Sequence, residues 1–119
     1  SQHITEEDYA LMRNKELIAI NQDPMGQQAD LISEKDSLLV LAKDLENGDV
    51  ALSATNLNDS EQYVTFSFKQ IPHMEALKRF HVRDAINQID FPVEKGADGF
   101  TVSVRSHATV VFRLIREGK

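Results

Sequence analysis

The chain contains no cysteine, which removes disulfide bridges, zinc-thiolate centres and thiol nucleophiles together. It also lacks tryptophan and carries only two tyrosines and six phenylalanines. The flat rings that sugar-binding modules present to pyranose faces are therefore scarce. Cations are in the minority: 13 Lys and Arg stand against 19 Asp and Glu, a net charge of −6. A phosphate backbone would on average be repelled, so nucleic acid is not an expected partner. No apolar run approaches the ~20 residues of a bilayer span, and no membrane segment is expected. No Gly-rich phosphate loop follows any expected strand, and no cofactor is expected. Ser1, Gln2 and His3 open the chain with neither the basic start nor the apolar stretch of a secretory leader, and read as the cut end of a longer protein. The missing cysteines leave the compartment open.

What is present suits one compact domain. Hydrophobic residues make up 41% and charged residues 27%, and a chain of this length buries roughly two thirds of its unfolded surface. Thr5 followed by Glu6, Glu7 and Asp8 has the form of a helix start, a hydroxyl cap with acids on the positive end of the dipole. Tyr9 and Met12, then Leu17 and Ile20, recur at three-residue spacing, and Asn14 is placed to cap a second short helix from Lys15. Pro24 and Gly26 stop any helix there. Residues 1–26 thus form a helical head and linker, and 27–119 the body.

In the body, short apolar or alternating stretches are separated by turn residues, the pattern of consecutive strands. Leu38 to Ala42 is apolar on both parities, as in a central strand. Asn47-Gly48 suits a tight hairpin that needs positive φ, and the return strand starts at Val50. Asn58-Asp59-Ser60 makes the next turn, after which Val64, Phe66 and Phe68 share one face and Tyr63, Thr65, Ser67 and Lys69 the other. Phe100, Val102 and Val104 alternate likewise after Asp98-Gly99, and a last strand runs from about Thr109 to Arg116. Between Ile71 and Lys95 the expected order is a helical turn at residues 74–78 and then a strand at 80–84. With no crossover helix between strands, the expected fold is mainly β: a Greek-key-like antiparallel sandwich of about seven or eight strands behind a short helical segment.

Candidate chemistry is thin. Glu6, Glu7 and Asp8 are accounted for by the helix dipole. A glycosidase needs two carboxyls facing one sugar about 5 to 10 Å apart, and Asp84 with Asp90 is the one pair in a suggestive loop setting. An aspartate closing a strand more often bonds its own turn or pairs with a neighbouring Arg, here Arg83. His3, His73, His81 and His107 lack the spacing of a local metal site, so none is expected. Ser53, Ser67 and Ser103 occupy plain strand positions rather than a strained nucleophile turn. Tyr63 alone among the aromatics is expected to point outward, and is the candidate for a weak sugar contact. Catalytic residues are expected to be none.

The stretch Asn14-Lys15-Glu16-Leu17-Ile18-Ala19-Ile20-Asn21-Gln22-Asp23-Pro24-Met25-Gly26 resembles the segment where family 27 glycoside hydrolases, the α-galactosidases and α-N-acetylgalactosaminidases, leave their (β/α)8 barrel. The resemblance continues through Val82-Arg83-Asp84 and through residues 106–114, from Ser106 to Leu114. Ala85-Ile86 departs from the family's Leu-Trp, and residues 72–80 match poorly. The resemblance implies a retaining glycosidase whose two catalytic aspartates lie upstream of Ser1, with residues 5–21 as the last barrel helix region and 27–119 as the C-terminal sandwich. No catalytic position of the family falls on this chain. The implied partner is the barrel of the same parent chain, and the implied role is structural support, with a carbohydrate-binding module as the alternative. Cut from that barrel, Met12, Leu17, Ile18 and Ile20 would lack cover, so the head is expected to fold back, fray or self-associate.

Overall fold

The computed structural model describes residues 13–24, 28–72, 74 and 79–118. The expected first helix, with Glu6, Glu7, Asp8, Tyr9 and Met12, lies outside them, as do His3, His73, Met25, Gly26 and most of the expected turn at 74–78. Helix α1 spans Lys15–Gln22. Eight strands follow: β1 Asp30–Ser33, β2 Leu38–Asp44, β3 Val50–Asn56, β4 Gln62–Ser67, β5 Phe80–Asp84, β6 Ile89–Phe91, β7 Gly99–Val104 and β8 Thr109–Arg116. They form two antiparallel sheets, a large one ordered β1-β2-β3-β8-β5-β6 and a small one of β4 and β7. The chain changes layer four times, between β3 and β4, β4 and β5, β6 and β7, and β7 and β8. The expected sandwich is what forms.

Strand period explains the layering. Val40, Ala42, Leu52, Ala54, Val82, Phe112 and Leu114 share the inner face of the large sheet, and Val64, Phe66, Phe100, Val102 and Val104 the inner face of the small one; together they make the main core. Its centre is a cluster of rings: Phe100 lies 5.0 Å from Phe66 and 5.2 Å from Phe112, centroid to centroid, and Phe91 lies 5.4 Å from both Phe100 and Phe112. Burying each such ring stabilises the fold by roughly 1.5–3 kcal/mol relative to leaving it in water. Away from the core, hydroxyl pairs zip the exposed faces, with Thr55 to Thr109 and Thr65 to Thr101 at 2.8 Å each.

Three local details differ from expectation. The β2–β3 loop closes with Leu45 and Asp49 in mutual register through a 2.9 Å bond, so three residues intervene and only Gly48, at φ 92°, is left-handed. Asn47 instead uses its side-chain oxygen to accept from the Asp49 N–H, the geometry of a three-residue hairpin loop ending in an αL glycine. Strand β4 ends at Ser67, and Phe68 opens a single 3₁₀ turn to Gln70. Phe68 still meets the core, edge-on to Phe80 at 5.2 Å. Asp90 sits not in a loop but in β6.

Candidate functional site

Asn14 does what its position suggested and more. Its side-chain oxygen accepts from the N–H groups of Glu16 and Leu17 at 3.0 and 3.2 Å, capping α1. Its amide nitrogen donates across the fold to the carbonyls of Ala85 and Ile86 at 2.7 and 3.1 Å. One buried amide thus starts the helix and clips it to the β5–β6 turn. Arg83 adds a second clip from the outer face of the large sheet, donating to Glu16 at 2.9 and 3.2 Å, to the Gln88 carbonyl at 2.7 Å and to Asp90 at 3.3 Å. The hydrogen bond that Arg83 donates to Glu16 is the main cause that holds its guanidinium above its ordinary pKa, so it stays charged. On the other flank the Lys43 ammonium donates to the Ile20 carbonyl at 3.2 Å, and the Glu46 N–H donates to Asp23 at 2.9 Å.

Under these clips α1 lays Ile20 and Leu17 on Leu45, Ala51, Ala85 and Val111, a second small core on the outer face of the large sheet. Of the three fates open to the head, α1 has taken the first and folds back. Ile20 is consequently buried, which corrects its expected availability for self-association. Asn14→Ala is expected to cost about 2 kcal/mol, because both the cap and two buried carbonyls lose their partner. Thermal unfolding together with amide exchange in α1 checks this. Asn14→Ser, which restores the cap alone, should recover about half.

The carboxylate pair does not converge. Register places Arg83 opposite Asp90 and Asp84 opposite Ile89, so the two aspartates leave opposite faces of the hairpin. Asp84 accepts from the N–H groups of Ile86 and Asn87 at 3.0 and 2.9 Å and from the Asn87 amide at 2.8 Å, fully used in shaping its own turn. Asp90 answers Arg83. Of the described histidines, His81 lies 3.5 Å from Glu117 and His107 2.9 Å from Asp59, and among the described residues no three potential metal ligands gather. Ser53 and Ser103 stand in β3 and β7, and Ser67 ends β4. Tyr63 is 77% exposed on the outward side of the small sheet, across from Ser103.

A surface that strand parity could have indicated, and that was not singled out from sequence, is the rest of the large sheet's outer face. Beside α1 a transverse row runs through Leu31, Leu41, Ser53 and Val111 in register. Leu31 is 54% exposed, and Leu39, Leu41 and Val111 are only half-buried. Aligned apolar side chains left open on a sheet face mark a contact surface.

Comparison with known proteins gives this geometry its context. Residues 35–114 match the family model described as the alpha galactosidase C-terminal beta sandwich domain. Alpha-galactosidase A of Aspergillus niger is 32% identical over 111 residues, covering 93% of this chain but 20% of that protein. The chain therefore spans about a fifth of the length of the curated relatives it matches. Among solved structures, alpha-galactosidase I from Mortierella vinacea superposes with a TM-score of 0.79 at 24% identity, covering 94% of this chain and 29% of that one. A GH27 β-L-arabinopyranosidase from Geobacillus stearothermophilus superposes equally well, with a TM-score of 0.79 at 17% identity over 97% of this chain and 26% of that one. These two likenesses establish the fold alone. The chain belongs to the α-galactosidase C-terminal β-sandwich domain family.

Proposed function

We propose that this chain is the supporting end of a retaining α-galactoside hydrolase, and that it meets an upstream (β/α)8 barrel through the outer face of its large sheet. On this reading residues 1–26 continue the barrel and 27–119 form the sandwich. The observation that carries it is the seat of α1. The helix whose sequence resembles the barrel's exit is clipped to that face by Asn14, Arg83 and Lys43, and the apolar side chains of Leu31, Leu39 and Leu41 lie open beyond it. The sugar is chosen elsewhere: the same sandwich fold accompanies proteins named for galactosides and for arabinopyranosides. Without the barrel, these side chains, with Leu17 and Ile18 at their margin, form the surface through which two copies would associate.

Leu41→Glu tests the proposal. In the isolated chain, held dilute enough to be monomeric, the new carboxylate stays hydrated, and stability should change by less than about 1 kcal/mol. In the full-length protein the same carboxylate would be desolvated against the barrel, lowering stability by about 3 kcal/mol and the α-galactosidase activity retained after heating with it. Equal effects in both forms would refute docking through this face.

A further inference from the structure

The structure also contains a groove at the β5–β6 edge of the large sheet, the edge opposite β1 and β2. Strand β6 stops at Phe91 because Pro92 has no N–H to continue the ladder. In the register that pairs Val82 with Phe91, Phe80 would next face Val93, but the chain instead swings away through residues 92–97. The result is an open cavity of about 950 Å³ between β5 and that loop. Its floor is aromatic, formed by Phe68, Phe80 and Phe91, each half-buried with ring surface left to the groove. Its lining also includes the acidic residues Asp90, Glu94 and Glu117, the basic residues Arg79 and Lys95, and His81, with Asp90 paired to Arg83 and Glu117 3.5 Å from His81.

We infer that this groove binds a neutral oligosaccharide. Three properties select that ligand class. The part of these rings left uncovered offers C–H stacking surface, which polyhydroxylated rings use and small ions do not. The lining mixes three acidic with two basic residues, so it offers both donors and acceptors without strongly selecting an anion or a cation. Its volume falls within the range of built ligand sites. The backbone argues against an extended peptide. The Arg79 carbonyl is taken by the Glu117 N–H at 2.8 Å, and among the described residues of this edge, ladder alternation then turns only the N–H and C=O of Phe80 toward the groove. One free residue is too little for strand addition. The site deepens the glycosidase reading and rests on it for the choice of sugar, and it moves sugar contact from Tyr63, on the small sheet, to the far edge of the large one.

The test is an amide-shift titration of the 119-residue chain with raffinose, a neutral galactosyl trisaccharide, repeated with galactomannan fragments. Saturable changes confined to residues 79–82 and 90–97 are expected. Glu94→Ala combined with Lys95→Ala, both exposed loop positions, should weaken binding at least about tenfold, while Tyr63→Ala leaves it unchanged. No saturable change, or changes centred on Tyr63, would overturn the inference. Shifts with an extended peptide but not with sugar would overturn it as well. None of these outcomes bears on docking, which Leu41→Glu tests separately.

Discussion

Asn56→Asp is expected to lower the unfolding free energy by about 4 kcal/mol, enough to remove much of the stability of a domain this size. Asn56 is fully buried at the end of β3, and its amide is used completely. The nitrogen donates to the Ser60 carbonyl at 2.9 Å and to the Val104 carbonyl at 3.0 Å. The oxygen accepts from the backbone and side-chain nitrogens of Asn58 at 2.9 and 3.0 Å. Val104 belongs to the small sheet and Asn56 to the large one, so this side chain ties the two layers where the chain crosses between them. Asp keeps the acceptor oxygen but turns a second one, charged, toward two carbonyls in a fully buried site. Ionised it is repelled, and protonated it supplies one donor where two were needed. Denaturant unfolding should show the loss with little change in its slope. Because burial raises the pKa of this acid in the folded state, the gap between Asp and Asn should narrow as pH falls toward the ordinary Asp value and level off below it. Asn56→Leu, which fits the volume without charge, should still cost about 3 kcal/mol by leaving buried carbonyls unpaired.

Gly99→Ala is expected to cost about 3 kcal/mol for a steric rather than a polar reason. Gly99 opens β7 opposite Ser67, where the Phe68 N–H reaches the Asp98 carbonyl at 2.9 Å. A methyl group there would run into the Phe66 carbonyl oxygen, with the Phe66 carbonyl carbon at 3.0 Å and the Ser67 Cα at 3.2 Å. These obstacles are backbone and cannot swing aside, so β4 and β7 must separate. With only two strands in the small sheet, that separation pulls Phe66 and Phe100 apart in the middle of the ring cluster. Gly96→Ala, where a methyl would meet nothing within 4 Å, is the control. Its left-handed φ of 82° should limit the cost to about 1 kcal/mol, and protection of the β4 and β7 amides should fall only in the Gly99 variant.

Much of this architecture could be read from residues that act locally. Asn14 ahead of Lys15 announces α1 because a cap bonds to N–H groups two and three positions away. Val64 with Phe66, and Phe100 with Val102, announce the small sheet because burial alternates along a strand. What stayed hidden depends on distant partners or on very short elements. Nothing about Asn56 in sequence reveals Val104, 48 positions on. The three residues of β6 are too few to show a period, so Asp90 read as a loop acid when it is the cross-strand mate of Arg83. Asp36 and Ser37 both adopt φ of 58°, held by bonds from Asn58 and Leu57 to their carbonyls; aspartate is enriched at such φ but serine is not, so the pair gives no clear signal. The groove beside β5 was equally illegible, since it comes from where β6 stops rather than from any motif.

The view of this chain as a supporting domain depends on what covers the outer face of its large sheet. Amide exchange of that face, compared between the 119-residue chain and the full-length protein that contains it, tests this most directly. Slower exchange in the full-length protein at Leu31, Leu39, Leu41 and Val111, with β4 and β7 unchanged, is the expected result. Equal exchange at those four positions in both forms would show that no barrel rests there and would contradict the proposed role.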